Sequence, residues 1–364
     1  MWASGMSPYA PERATLFAQY GLLHVYEVPA PFFYPPHSVF LLAPLGFLPP
    51  GGASMVFSFV NFIVLVASSM LAADIIRSAG APGSRLSWAS AHAIFLVAGW
   101  TATSIIFFHN IVTLIVYCGL LAMLRGAQTR RGTLVALGAF FALLSPQMSA
   151  AAAIALMMRR RSRSAMIAGF VLIGATSLIG LAPGGIFRSL EAMLANLSTY
   201  SSYPVNSNAY QSGVGFIMAA LFGLSPGSGA ALAGCVATLT LFALFGDRQG
   251  ENEEARSVEF GAVAIVVGLF FLPSLSHYYV AAIPAVTLLV LTKGGWRWFA
   301  APGALMLMLS LDLLSAPDGV PWLSGRETAA ATDSIGVALL FAASLWRWTA
   351  GRPSAPRNRP AAIS

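Results

Sequence analysis

Residues 53–76 read ASMVFSFVNFIVLVASSMLAADII, with no charged residue before Asp74. A helix of about 20 predominantly apolar residues is long enough to cross the hydrocarbon core of a bilayer, so this stretch predicts a membrane span. The rest of the chain is similar, because hydrophobic residues make up 57% and charged residues 9% of its 364 residues. Soluble globular proteins carry roughly 25% charged residues. The composition therefore predicts a membrane protein and excludes a soluble enzyme.

Further apolar runs predict an all-α, polytopic membrane protein with about 11 transmembrane helices. The run between Arg131 and Arg159 is too long for one upright helix, and Ser145-Pro146 interrupts it. It predicts two short helices in a hairpin, because proline breaks the helical hydrogen-bond pattern. Residues 213–224 are too few to cross comfortably and predict a re-entrant or interfacial segment. Single spans are predicted at 53–76, 87–107, 109–124, 164–182, 228–246, 257–273, 276–292, 296–314 and 333–349.

The basic residues indicate how these spans are oriented. If residues 53–76 run toward the cytoplasm, all but three of the 20 Lys and Arg residues fall on the cytoplasmic side, the exceptions being Arg13, Arg188 and Arg326. Cytoplasmic loops of membrane proteins are enriched in Lys and Arg. We therefore predict an extracytoplasmic segment with an interfacial helix at 1–52, a transmembrane helical domain at 53–349 and a disordered cytoplasmic tail at 350–364.

The composition also suggests a source and a location. The chain is rich in Ala, Gly and Arg and contains a single Lys, which is typical of a GC-rich bacterial genome. We expect a multi-pass protein of the bacterial plasma (inner) membrane.

The first 52 residues need a route across the membrane. They contain no signal peptide and no preceding span. We expect Met1 to be an internal methionine and an upstream helix to be missing from this sequence. The alternative is that the short apolar run from Ser38 to Leu48 inserts.

Polar and aromatic residues concentrate on the predicted extracytoplasmic side. Polar groups at membrane depth usually line a cavity, so this side is the expected location of a site. Each group also has a structural alternative: Tyr34-Pro35-Pro36 as a rigid loop, and His109 and His277 as hydrogen-bonded structural histidines. The groups are Pro31 to His37, His109-Asn110, Ser145 to Gln147, 183–211, Ser274 to Tyr279 and Ser315 to Asp333.

Several other features predict structural roles or exclude chemistries. His92 has no polar context and is predicted to be structural, and Asp74 is expected to pair with Arg77 on one helix face. Cys118 and Cys235 lie in apolar runs and indicate neither a disulfide framework nor a metal site. The chain has no phosphate-loop, dinucleotide-binding or zinc-protease motif. We expect no cofactor, no metal and no nucleic-acid partner, and a large amphipathic substrate reached from the bilayer.

The order of the motifs resembles a known family. PFFYPPHSVFLLAPLGFLPP (31–50) resembles the YPP-apolar-PL-LP block of the GT87 (DUF2029) glycosyltransferases, which include polyprenol-phosphate-mannose-dependent mannosyltransferases. MWASGMSPYAPE (1–12) is similar to the end of that family's Trp-Ala-Gly segment. FFHNIVTLIVY (107–117), LLSPQMSAA (143–151) and PSLSHYYVAAIPAVTLL (273–289) are similar to its Gly-Gln-Asn, Lys-Pro-Gln and late His/Tyr blocks.

The resemblance implies a GT-C fold and an activity. A hexose, with mannose preferred, would move with inversion from a polyprenyl-phosphate carrier to an extracytoplasmic glycolipid or glycan acceptor, with membrane lipid around the enzyme. The family's catalytic base is an aspartate soon after the first helix, whereas no aspartate precedes Asp74 here. The resemblance thus places the base upstream of Met1, or leaves Glu12 as a weak substitute, or implies an inactive relative.

The resemblance also assigns residues to the expected site. His277 matches the late histidine and is the catalytic candidate, either assisting the base or contacting the donor phosphate. His109 replaces the family's glutamine, and Ser145 replaces its lysine. A lipid-linked glycan flippase remains an alternative function. The expected substrate-binding residues are Tyr34, His37, His109, Asn110, Gln147, Arg188 and Tyr278.

Overall fold

The computed structural model describes Ser7, Tyr9 and residues 34–78, 83–99, 112–202, 213–224, 228–246, 253–272, 276–291, 294–308 and 325–350. Within these ranges the chain is helical and contains no β-strand, which confirms the predicted all-α class. Single 3-10 turns occur at Pro36–Ser38, Ala43–Phe47 and Ser276–Ala282, and a π-helical turn occurs at Phe95–Gly99. The α-helices are α1 (Val39–Leu42), α2 (Pro50–Ser78), α3 (Arg85–Ile94), α4 (Thr113–Thr129), α5 (Gly132–Ala142), α6 (Pro146–Met158), α7 (Arg160–Leu181), α8 (Ile186–Ser202), α9 (Val214–Phe222), α10 (Ser228–Gly246), α11 (Glu253–Phe271), α12 (Ile283–Leu291), α13 (Arg297–Met308) and α14 (Gly325–Ala350).

Most predicted spans coincide with an observed helix. The span predicted at 228–246 is α10, and those at 53–76, 164–182 and 257–273 differ from α2, α7 and α11 by about one helical turn at most. The span predicted at 276–292 opens as a 3-10 turn before α12 begins. The segment predicted at 213–224 contains α9, which has 9 residues and is too short to cross a bilayer.

Two described helices have the length and composition of a membrane span: Gly51–Ser78 of α2, and α7. Both expose large apolar side chains, including Phe59 at 63% and Val171 at 65% of their surface. The other apolar helical stretches found in the described residues are 10–17 residues long. These helices support a membrane protein, while the total of about 11 crossings stays a prediction.

The predicted hairpin between Arg131 and Arg159 is confirmed. α5 and α6 have 11 and 13 residues, and Pro146 is the first residue of α6. The hydroxyl of Ser149 donates hydrogen bonds to the carbonyls of Ala142 (2.7 Å) and Ser145 (3.1 Å) across the turn. The same two carbonyls also accept backbone hydrogen bonds from the amides of Ser145 (3.3 Å) and Met148 (3.1 Å), so the turn is held by both side-chain and backbone bonds.

Glycines allow α4, α5 and α7 to pack closely. A Cβ atom at Gly126 of α4 would lie 2.7 Å from the backbone nitrogen of Val135 in α5. A Cβ at Gly169 of α7 would lie 3.0 Å from the carbonyl oxygen of Ala136, also in α5. Small residues at such contacts are typical of helix packing in membranes.

The C-terminal helices pack around α11. A Cβ at Gly268 would lie 2.8 Å from Ala151 of α6, and the rings of Phe270 and Phe341 stack at 4.7 Å between α11 and α14. A Cβ at Gly303 of α13 would lie 2.8 Å from the carbonyl oxygen of Gly336 of α14. Because α11 contacts both α6 and α14, it joins the two halves of the bundle.

Helix ends that carry arginines meet at one end of the bundle. Arg125, near the end of α4, donates a 2.8 Å hydrogen bond to Ser78 at the end of α2. Arg347, near the end of α14, forms a 2.6 Å ion pair with Glu259 in the first turns of α11. We refer to this end as the arginine end, and to the other as the opposite end.

Asp74 pairs across the α2–α3 turn. Its carboxylate lies 2.8 Å from Nε of Arg85, the first residue of α3, so the expected pairing with Arg77 is wrong. The turn folds α3 back along α2 and brings Arg85 within reach.

His92 has the structural role predicted for it. Its Nδ1 and Nε2 lie 3.1 Å from the hydroxyl of Ser69 and 2.8 Å from the hydroxyl of Tyr117. All three side chains are buried, and they join α2, α3 and α4. A buried imidazole with both nitrogens bonded is satisfied without a ligand.

Candidate functional site

The Tyr34–Ser38 segment forms a rigid turn at the opposite end of the bundle. Pro35 is extended (φ −57°, ψ 149°), Pro36 opens the 3-10 turn, and the amide of Ser38 donates to the carbonyl of Pro35 at 2.9 Å. A Cβ at Gly180, in the last turn of α7, would clash with the carbonyl oxygen of Pro36. The end of α7 and the proline turn are therefore in direct backbone contact.

His37 is buried beneath this turn. Its side chain is 2% exposed, and its ring meets the edge of Phe140 of α5 at a centroid distance of 5.2 Å. Among the described residues, neither ring nitrogen forms a hydrogen bond. Burial lowers the pKa of His37 to about 4, and the nearby Phe140 backbone partly opposes this shift without completing a hydrogen bond. The imidazole is therefore neutral at pH 7, with one donor and one acceptor unused.

Tyr9 ties the proline turn to α8. It is 1% exposed, and its hydroxyl donates a 2.7 Å hydrogen bond to the carbonyl of Tyr34. The side-chain amide of Asn196, on α8, donates to the carbonyl of Tyr9 at 3.2 Å. Burial raises the pKa of the Tyr9 phenol, so the hydroxyl remains a donor at neutral pH.

The start of α6 brings Gln147 to the same end. Gln147 is half-buried at the second position of α6, and its Oε1 accepts a 3.3 Å hydrogen bond from Ser145 Oγ. No acidic residue lies in this first turn, so the positive end of the helix dipole is not neutralised by the described side chains there. Met148, the next residue, belongs to the central hydrophobic cluster of the bundle.

Tyr278 reaches that cluster from the late His/Tyr segment. The 3-10 turn Ser276–Ala282 packs against α4, α6, α11 and α12. Tyr278 is 9% exposed and lies in the same cluster as Met148, while Tyr34 packs against its edge. Tyr34 and Tyr278 therefore adjoin one hydrophobic cluster, which runs through the whole bundle, and Gln147 precedes Met148 of that cluster. The backbone of His277 lies in the turn, but its side chain lies outside the described residues.

Arg188 takes a different position from these residues. It is exposed on α8, a helix that also exposes Phe187, Leu190, Leu194 and other apolar side chains. Arg188 is a described arginine at the opposite end, and its exposed side chain could contact a phosphate directly. Glu12, His109 and Asn110 lie outside the described residues.

Sequence reasoning missed Tyr9, Gly180 and Asn196. Tyr9 contacts Tyr34, 25 positions away, and Asn196, 187 positions away. Periodicity reports local contacts, so no pattern in the sequence signals these pairs. The resemblance of residues 1–12 to a family segment was the one signal that pointed near Tyr9.

A comparison with protein-family models identifies the family of the chain. Residues 32–273 match the model of glycosyltransferase family 87. The chain belongs to glycosyltransferase family 87. No match was found among curated proteins or among solved structures.

The GT87 match contains several of the predicted site residues. It begins two residues before Tyr34, includes His37, Gln147 and Arg188, and ends at Pro273, before His277 and Tyr278. Family membership confirms the suspected resemblance and assigns the chain to the glycosyltransferases.

No group of three or more His, Cys, Asp or Glu residues that could hold a metal ion occurs in the described ranges. The absence of a metal cofactor stays a prediction.

Proposed function

We propose that this GT87 chain transfers mannose from a polyprenyl-phosphate carrier to a glycolipid or glycan acceptor on the extracytoplasmic face of a bacterial plasma membrane. The bundle would have the GT-C arrangement. The opposite end, with Tyr34, His37, Gln147 and Tyr278, would be the transfer site, and the arginine end would face the cytoplasm.

The reaction requires few protein groups. An acceptor hydroxyl attacks C1 of the sugar, the C1–O bond to the carrier phosphate breaks, and the configuration at C1 inverts. The hydroxyl proton passes to a carboxylate within hydrogen-bond reach. The resemblance assigns this role to an aspartate that precedes the aligned segment, with Glu12 as the acid this chain offers nearby. The leaving phosphate needs cations or hydrogen-bond donors.

The chain offers donors for that phosphate. His277, Arg188, Tyr34 and Tyr278 are the candidate side chains, and the N-terminus of α6 beside Gln147 adds the positive end of a helix dipole. His109 and Asn110, at the predicted start of the span before α4, complete the proposed set. A lipid-linked donor reaches such a site from the bilayer, which agrees with the apolar composition.

The observation that carries the proposal is the buried, unsatisfied imidazole of His37 under the Tyr-Pro-Pro turn. Most buried polar groups in folded proteins have a hydrogen-bond partner. Within the described residues His37 has none, although it is 2% exposed and lies in the family-matched segment. A substrate oxygen nearby would supply the missing partner.

The direct test is a transfer assay. The chain, expressed with any in-frame coding sequence upstream of Met1, is purified in detergent and incubated with radiolabelled polyprenyl-phosphate mannose and an acceptor lipid extract. We expect a labelled product with an inverted anomeric linkage. We expect His277→Ala to lose roughly 10²–10³-fold in rate, which is typical of removing one donor that stabilises developing negative charge.

Two outcomes would contradict the proposal in different ways. Unchanged transfer by His277→Ala would remove His277 from the site. Movement of intact labelled donor across vesicles, without any product, would instead support the flippase alternative. Thr240→Ala, an exposed position on α10, serves as the control for handling of the protein in detergent.

A further inference from the structure

Five exposed arginines form a basic patch at the arginine end. They lie on two tight turns: the turn between α4 and α5, and the turn between α6 and α7. The basic patch consists of Arg130, Arg131, Arg160, Arg161 and Arg163, all exposed.

The two turns lie side by side. A Cβ atom at Gly132, the first residue of α5, would be 3.5 Å from Cβ of Ala165 in α7. A Cβ at Gly169, one turn further along α7, would contact Ala136, one turn further along α5. α5 and α7 are therefore parallel neighbours that both begin at the patch. Five positive side chains lie in these two turns, where α4 and α6 end and α5 and α7 begin.

The two turns also contain helix C-termini. Arg130 follows the last residue of α4, Arg159 follows the last residue of α6, and Nε of Arg163 donates a 3.2 Å hydrogen bond to the carbonyl of Met157 near the end of α6. Cations are favourable at such C-terminal ends. No acidic residue lies in the first turn of α5 or α7, and two described carboxylates at this end, Asp74 and Glu259, are in ion pairs with Arg85 and Arg347. The arginines of the patch are therefore held at the ends of α4 and α6 with their side chains exposed to the surroundings.

We infer that the basic patch binds the phosphate of anionic phospholipids in the leaflet at the arginine end. Arginine pairs with phosphate through two parallel N–H···O bonds, and basic clusters beside membrane helices attract anionic lipid headgroups. The patch begins directly at α7, which has the length and composition of a membrane span, so its arginines lie at headgroup level. The inference depends on the membrane placement of α7 and not on sugar transfer.

A lipid titration of the purified full chain tests this inference. The probe is phosphatidylglycerol added to zwitterionic micelles, with phosphatidylcholine as the uncharged comparison, and the readout is the midpoint of thermal unfolding. A ligand that binds only the folded state stabilises it by RT ln(1 + c/Kd) at a free ligand concentration c, so the midpoint rises with ligand concentration. We expect phosphatidylglycerol to raise the midpoint of the wild type, and phosphatidylcholine to leave it unchanged.

Variants locate the binding. We expect Arg131→Gln/Arg160→Gln to bind phosphatidylglycerol roughly thirtyfold more weakly, since each basic residue near a charged surface contributes about fivefold. Arg130→Gly removes a third charge without straining the chain, because Arg130 has φ 58°, where glycine is favoured. Arg77→Gln, an exposed arginine at the same end on α2 but outside the patch, is the comparison, and it should weaken binding by no more than about fivefold.

Three outcomes would overturn the inference. One is a wild-type response to phosphatidylglycerol in the double variant. Another is an equal midpoint shift with inorganic phosphate, which would indicate a free-anion site instead. The third is an equal loss of stability in both lipids, which would assign the arginines to the chain's own acidic run, Asp247 to Glu254, which follows α10 and includes the first two residues of α11. None of these results depends on transferase activity.

Discussion

Replacing His37 with phenylalanine separates a binding role from a packing role. Phenylalanine keeps the ring contact with Phe140 and removes two buried nitrogens that have no partner among the described residues. An unsatisfied buried polar group costs about 1–3 kcal/mol, so we expect His37→Phe to be at least as stable as the wild type at pH 7. We also expect it to lose transfer. Full activity in this variant would show that His37 only packs.

The stabilities of the wild type and of His37→Phe should differ more as the pH falls. The unfolded chain takes up a proton on His37 near pH 6.5, whereas the folded ring stays neutral down to a pKa of about 4. The wild type therefore loses stability relative to His37→Phe as the pH falls through this window, by about 2 kcal/mol between pH 7 and pH 5 given the pKa of about 4. Denaturant unfolding in detergent at both pH values measures the difference. Parallel pH profiles would place His37 in contact with water.

At the residue scale, the sequence predicted the structural role of a buried side chain better than it predicted hydrogen-bond and ion-pair partners. His92 was predicted to be structural, and its bonds to Ser69 and Tyr117 agree. Asp74 was paired with Arg77 by helix spacing, but the α2–α3 turn brings Arg85 closer. Such partners depend on the path of the chain between helices, which residue spacing does not report.

At the element scale, the contact between α7 and the proline turn makes a direct prediction. Gly180→Ala places a methyl group against the backbone carbonyl of Pro36 and should destabilise the protein by about 1–3 kcal/mol. Gly174→Ala, on the same helix with nothing within 4 Å, should stabilise it by about 0.5–1 kcal/mol. Denaturant unfolding of both variants gives the signs. Two stabilising substitutions would mean that α7 and the turn do not touch.

The amphipathic surface of α8 leads to a second prediction at the scale of helices. Its exposed surface has an apolar side, with Phe187, Leu190 and Leu194, and a separate side with Arg188 and Ala195. An amphipathic helix of this kind lies in the membrane interface with its apolar side toward the acyl chains. A nitroxide label at Leu190→Cys should be accessible to oxygen dissolved in lipid, and one at Ala195→Cys to a water-soluble nickel complex. Equal access of the nickel complex to both labels would place α8 in water.

The elements were predictable where a local signal marks them. Pro146 divides the long apolar run, and the structure starts α6 at that residue. Pro284 gives the same kind of signal within 276–292, because it is the second residue of α12, which directly follows the 3-10 turn Ser276–Ala282, yet the prediction treated this run as one helix. The contact of α7 with Pro36 could not be predicted, because the two segments lie far apart in sequence.

At the scale of the whole molecule, helix packing supports the separation of basic residues toward one end of the bundle, which the distribution of Lys and Arg along the sequence predicted. The described arginines gather at one end except Arg188, and the proline turn with Tyr34 and His37 lies at the other, against the last turn of α7 and Phe140 of α5. This agreement has a physical cause, since short connections force neighbouring helices to run antiparallel, so the side of each loop follows from the number of crossings. The compartment that each end faces stays a prediction from the distribution of Lys and Arg residues.

Cysteine labelling at the two ends of α7 tests that sidedness most directly. Arg160 and Ala182 flank this helix and are both exposed, and Cys118 and Cys235 are replaced by alanine to remove background. With a membrane-impermeant thiol reagent on intact cells, we predict labelling of Ala182→Cys and no labelling of Arg160→Cys until the membrane is permeabilised. Labelling of both positions from outside, or of Arg160→Cys alone, would contradict this prediction.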